Sequence, residues 1–299
     1  MKRVALFIGL SFLVCVTCIG QRLQRVKIAS AKGADAYFTT KPEKEVKGVL
    51  VLLQGFGEKT KEIPQKTQIP ALLEKQGYLV IFPELQHTLF ADDHAKFKLD
   101  QILEAEYAKY NLQDIPIVIG GFSAGGAVAV GYAEYLIKSG SSRKIKGVFV
   151  IDAPLDLERI YRSAVNKIGY HCSDLISKEG HSLKNTLDTR LGGPPEAKPA
   201  AYLNSSAYSA TAQDGGNARL LKDIPIRLYC EPDLEFVRKK YCQKLQMADI
   251  NATDLEGLST FLKKIGNLRA ELIQTKGRGF HSWNIADAAD LKNWIVGIQ

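Results

Sequence analysis

Cysteine is scarce in this chain, with five residues, and none of them shares a metal-ligand spacing with the five histidines. No structural metal site is therefore expected. Missing too is an apolar run of the roughly 20 residues that a membrane-spanning helix requires. The longest such run, Val4 to Val16, is shorter. Positive charge is in excess, +8 overall, but it is scattered over Lys59, Lys61, Lys75, Arg143 to Lys146 and Arg238 to Lys240. A basic stripe with interleaved aromatics is lacking, so no nucleic-acid partner is expected. Internal repeats and low-complexity segments are absent as well, which excludes solenoids and arrays.

What is present begins with a leader. Lys2 and Arg3 precede the apolar run, and Cys18 and Gly20 supply the small residues read at a cleavage site. Residues 1–20 are expected to be a signal peptide, giving an exported (periplasmic or secreted) protein with no stable membrane association once it is removed. Removal takes the balance from 40 − 32 to 38 − 32, or +6. Cys172, Cys230 and Cys242 remain. In an oxidising compartment two of them can pair, and proximity along the chain favours Cys230 with Cys242, although spacing alone does not fix disulfide geometry.

Strand-like runs occur at Arg25 to Ala29, Ala36 to Thr39, Gly48 to Leu53, Tyr78 to Phe82, Ile115 to Ile119, Ile145 to Ile151, Ile226 to Tyr229 and Glu271 to Gln274. From the third onward they are apolar nearly throughout and separated by helix-length segments. That pattern predicts an α/β fold: an eight-stranded, mostly parallel sheet with helices on both faces and an antiparallel edge made by the first two strands. Helices are expected at Ala71 to Gln76, Phe97 to Tyr110, Ala124 to Lys138 and Asp287 to Ile298, with another opened by a Thr253/Glu256 capping box. Residues 155–222 interrupt the alternation. Their length and their tyrosines (Tyr161, Tyr170, Tyr202, Tyr208) predict an ordered cap inserted between strands six and seven of a core formed by 21–154 and 223–299.

The chemistry-bearing motif is Gly121-Phe122-Ser123-Ala124-Gly125. An apolar strand ends at it and an alanine-rich helix starts from it, so Ser123 sits on a sharp strand-to-helix turn that lifts its hydroxyl clear of the sheet. A serine hydroxyl is a weak nucleophile and needs a base, which in turn needs an orienting acid. His281 is the expected base. It follows the eighth strand through a glycine-rich loop and so reaches the carboxyl edge of the sheet, where Ser123 also lies. His87 and His94 follow the fourth strand, and His171 and His181 belong to the cap. For the acid, Asp233 is preferred, because a few residues beyond the seventh strand leave room for a loop to turn its carboxylate back. Glu231 and Asp152 abut their strand ends and are the alternatives. The amide of Ala124, at a helix amino terminus, is an expected oxyanion donor, and the amide of Phe56 in Gln54-Gly55-Phe56-Gly57 is the second.

In the order serine, acid, histidine on eight strands, the chain resembles the α/β-hydrolase superfamily over nearly all its length after the leader. Gly121-Phe122-Ser123-Ala124-Gly125-Gly126 is similar to the core sequence of acetylesterases and related carboxylesterases. The resemblance implies a serine hydrolase working through an acyl-enzyme on Ser123, with His281 as base and then acid and Asp233 orienting it. It implies a small-molecule or glycan ester as substrate and requires no cofactor. A serine peptidase on the same scaffold, or a binding protein that retains the fold, are the other readings. The chain departs from the common pattern at Gln54, where many members carry histidine, and at Cys230-Glu231, where a glycine-containing turn is frequent.

Overall fold

The computed structural model describes residues 23–30, 33–42, 45–85 and 87–298. The leader expected at 1–20 lies outside them. Strands β1 (Gln24–Ser30), β2 (Gly33–Thr39), β3 (Gly48–Leu53), β4 (Tyr78–Pro83), β5 (Ile117–Phe122), β6 (Ile145–Ile151), β7 (Ile226–Cys230) and β8 (Ala270–Gln274) form one sheet in the order β1-β2-β4-β3-β5-β6-β7-β8. β1 pairs antiparallel with β2, and β2 with β4; every other pairing is parallel. All residues of β3, β4 and β5 are buried. This is why their apolar runs are continuous rather than alternating: helices cover both faces.

The helices are α1 (Ile63–Lys66), α2 (Ile69–Glu74), α3 (Asp93–Tyr110), α4 (Ala124–Lys138), α5 (Leu157–Tyr170), α6 (Asp174–Leu191), α7 (Pro199–Ser205), α8 (Leu234–Lys240), α9 (Ala252–Lys264) and α10 (Ala288–Gly297). β5 runs on through Gly120 and Gly121 to Phe122, further than its apolar pattern suggests. Glycine is needed there because a Cβ on Gly120 would come within 2.3 Å of the Phe149 ring on the neighbouring strand. α9 begins one residue ahead of Thr253, so the expected capping box does not form. Thr253 lies inside the first turn and its hydroxyl donates to the Met247 carbonyl at 2.6 Å.

Between β6 and β7, helices α5, α6 and α7 build the insertion over the sheet's carboxyl edge. α6 leaves little trace in the sequence. Its buried residues are only Ile176, Gly180, Leu187 and Leu191, too sparse an apolar stripe to announce itself in the sequence. The cap is tied to the core by polar groups as well as apolar ones. Asp254, on α9, accepts from the amides of Leu155 (2.7 Å) and Asp156 (3.0 Å) and forms a two-pronged pair with Arg159 on α5. Arg190 on α6 reaches Asp92, the residue that caps α3, at 3.1 Å.

A disulfide joins Cys172, between α5 and α6, to Cys242, just past α8, and Cys230 is free and buried. The pairing suggested by chain proximity is thus replaced. Cys230 ends β7 inside the core, whereas Cys172 and Cys242 face each other across the cap boundary with Cα atoms 5.7 Å apart. Closing a loop with a sequence separation of 70 restricts the unfolded chain by about 4 kcal/mol in the loop-entropy picture. Reduction is expected to lower the unfolding midpoint in denaturant correspondingly. Burial, aided by Asp152 and Glu256, pushes the Cys230 thiol up to about 12, so it should react with a thiol reagent only on unfolding.

Candidate active site

Ser123 has φ 53° and ψ −129°, a conformation that L-residues avoid, immediately after β5 and before α4. Such strain costs on the order of 1–3 kcal/mol and is held by the surroundings. Its amide donates to the Ile151 carbonyl at 2.8 Å. The flanking glycines are required by the close crossing of this turn with the end of β3. A Cβ on Gly125 would lie 2.4 Å from the carbonyl oxygens of both Leu53 and Gln54, and one on Gly121 would lie 2.7 Å from the Leu53 oxygen. The serine therefore stands on a turn that only glycine neighbours permit.

The neighbouring strand supplies a carboxylate that meets His281. Phe122 pairs with Ile151 in the parallel β5–β6 register, so Ser123 and Asp152 leave the sheet side by side. Asp152 is buried, has φ 43°, donates its amide to the Tyr229 carbonyl and accepts the Asn251 side-chain amide on its own carbonyl. Its Oδ2 meets His281 Nδ1 at 2.5 Å. The imidazole also lies against the ring of Phe122, the residue that precedes Ser123, with centroids 4.6 Å apart. With Nδ1 engaged by a carboxylate, Nε2 is left as the nitrogen available to a hydroxyl.

The expected acid, Asp233, is not the partner of His281. Its Oδ1 accepts the Phe236 amide at 2.8 Å and caps α8. After Pro232 the chain turns directly into a helix, and an aspartate at that point satisfies an orphan amide instead of returning to the sheet edge. That cap was legible in Asp233-Leu234-Glu235-Phe236-Val237. Glu231 is buried but aims its carboxylate into the loop before His281, accepting from the Arg278 amide (2.8 Å), the Phe280 amide (2.9 Å) and the Thr275 hydroxyl (3.1 Å). Burial on its own would raise its pKa, but these donors hold it below the ordinary carboxylate range.

The loop after β3 lies opposite. Glu58 accepts from the Gly55 amide at 2.8 Å, from Lys66 at 2.6 Å and from the Trp283 indole at 3.3 Å, which ties this loop to the segment just beyond His281. Among the described residues neither the Phe56 amide nor the Ala124 amide has an acceptor, so both expected oxyanion donors are unspent. The Phe56 side chain is 41% exposed and meets the His87 ring edge-on at 5.3 Å. His94 lies on α3, His181 on α6, and His171 ends α5. A cavity of about 300 Å³ opens beside the acid–histidine pair, bounded by Asp152 and His281 and by cap and core residues including Leu175, Ile176, Tyr241 and Phe280. Among the described residues no group of three or more His, Cys, Asp or Glu side chains is placed to hold a metal ion, and no helix is long and apolar enough to cross a membrane.

The sheet order, the serine on a strained turn after β5 and the helical insertion between β6 and β7 define the α/β-hydrolase fold. Solved structures with that architecture agree. Carboxyl esterase 2 of Tuber melanosporum is similar with TM-score 0.58 and 16% identity, over 93% of this chain and 85% of that one. An esterase of Pyrobaculum calidifontis gives TM-score 0.58 and 16% identity over 93% and 87%. The acylaminoacyl peptidase of Pyrococcus horikoshii gives TM-score 0.60 and 13% identity over 93% of this chain but only 41% of the peptidase. No protein-family model matches the chain, and no curated protein matches it either.

Proposed function

We propose that the protein is a serine hydrolase that cleaves carboxylic esters, and that the leader of the sequence directs it out of the cytoplasm. The observation that carries the reading is the His281–Asp152 contact beside a serine held in a forbidden backbone region. In this scheme Nε2 of His281 takes the Ser123 proton as Oγ attacks the ester carbonyl, and Asp152 stabilises the imidazolium that forms. The oxyanion accepts hydrogen bonds from the Ala124 and Phe56 amides. His281 then returns the proton to the departing alkoxide, leaving an acyl-enzyme that water hydrolyses by the same steps in reverse roles. To take the proton the base must be neutral when Ser123 attacks.

The leaving alcohol receives its proton from His281, so the cavity bounded by that residue suits the alcohol portion of the substrate. Its mixed lining, with Leu175, Ile176 and Phe280 beside Lys167, Asp249 and Asn251, fits a compact alcohol or a sugar unit rather than a long chain. The test is a fluorophosphonate probe with peptide mapping, run beside nitrophenyl acetate turnover. One label per chain, on Ser123, with loss of turnover in proportion to labelling is expected. A folded protein that takes no label and turns over no ester refutes the reading. Turnover of peptide anilides exceeding that of matched esters would replace it with a peptidase.

A further inference from the structure

We infer that Glu231 is a positioning residue for His281, acting on the backbone of the loop that delivers the imidazole while Asp152 acts on the ring. The inference rests on the reading of His281 as the general base. Glu231 is the first residue after β7, and its carboxylate is only 3% exposed by residue. No cation pairs with it among the described residues. Its charge is met by donors from one short stretch, the Thr275 hydroxyl and the amides of Arg278 and Phe280, while the Thr275 amide donates in turn to the Cys230 carbonyl at 2.9 Å.

The side chains of that stretch are held by an Arg278–Asp287 pair at 3.6 Å and a Phe236–Phe280 ring contact, but its amides at 278 and 280 turn on Glu231. Gly277 (φ 72°) and Gly279 (φ 113°) both take positive φ, and Phe280, directly before His281, is held at φ 57°, where a bulky residue is strained. The Phe280 amide donates to Glu231 Oε1, so the carboxylate grips the loop at its strained residue, one position from the base. Buried, and with no cation partner among the described residues, a carboxylate in this position relies on hydrogen bonds, and the loop amides at 278 and 280 supply two of them. The two acids therefore divide the work. Asp152 sets the ring's tautomer and tilt, and Glu231 sets where the ring is attached.

A displacement of about 1 Å in a reacting group can cost about 10²-fold in rate. Accordingly, Glu231→Ala is expected to lower kcat by about 10²-fold with KM within threefold, and to slow fluorophosphonate labelling of Ser123 in parallel. Glu231→Gln, which keeps the volume and one acceptor oxygen, should recover part of that loss. Thr275→Val, which deletes one donor from the loop side, should give a smaller decrease in the same direction. A readout specific to positioning is the low-field proton resonance of the Nδ1 hydrogen shared with Asp152: it should broaden or disappear in Glu231→Ala and persist in Thr275→Val. If Glu231→Ala does not fold, Glu231→Gln and Thr275→Val carry the test. Folded variants with unchanged kcat and an unchanged resonance overturn the inference, as does a loss expressed only in KM. Ser123→Ala and His281→Ala serve as controls. If these are inactive while the Glu231 variants keep full kcat, the positioning role alone falls; if these retain turnover, the esterase reading falls and this inference with it.

Discussion

Asp152→Asn is expected to lower kcat for ester hydrolysis by about 10⁴-fold, the scale seen when the orienting acid of a serine triad is made an amide. The carboxylate that meets His281 Nδ1 at 2.5 Å does two things an amide cannot. In the proposed mechanism it fixes the proton on Nδ1, leaving Nε2 as the acceptor, and it stabilises the positive charge that the ring acquires in the transition state. An asparagine keeps the shape, but its NH₂ can turn to the ring and hold the opposite tautomer. Asp233→Asn, by contrast, is expected to leave kcat within about twofold, because asparagine caps a helix as well as aspartate and Asp233 caps α8. Kinetics on the two variants side by side decide which strand end carries the acid. Equal activity of Asp152→Asn and the parent would refute the assignment.

Ser123→Ala has the larger effect, a loss of about 10⁶-fold in kcat, since no acyl-enzyme can form and the other triad members have nothing to activate. Binding should survive it. The backbone strain at φ 53° is imposed by the crossing of the turn with β3 and not by the hydroxyl, so alanine inherits it and the variant folds as the parent does. Substrate affinity measured on the inactive variant should then match the parent's within about threefold, as uniform binding predicts when only a transition-state interaction is removed. An alanine variant retaining more than about 1% of kcat would place the nucleophile elsewhere, since the residual activity of triad variants is far lower.

Much of the scaffold was legible because the central strands obey a single rule. Gly48 to Leu53 is covered on both sides, so an uninterrupted apolar run marks its true bounds. The Ser123 turn was legible for a similar reason: its glycines answer a steric demand, the approach of β3 to the turn, and so appear as a pattern in the sequence. The carboxylate that meets His281 was not, because the pattern gives where a strand stops but not which way the chain then turns. Asp152 reaches the histidine without any loop at all, by virtue of a left-handed φ and the Phe122–Ile151 register. Asp233, with a loop apparently at its disposal, is claimed by the helix that follows it. The disulfide escaped for the same reason: Cys230 is near Cys242 along the chain, but its strand carries it inward, and only the folded cap brings Cys172 across.

The Cys172–Cys242 bond also makes a covalent ring of everything between those residues, including α6, α7, β7 and α8. A protease that nicks the exposed stretch at Glu196 to Lys198 would consequently produce two polypeptides still fastened to each other. Each would keep its partner at a local concentration fixed by the tether rather than by dilution. A clipped molecule would therefore migrate as one species until a reductant is added, and its halves could find each other again in a unimolecular step.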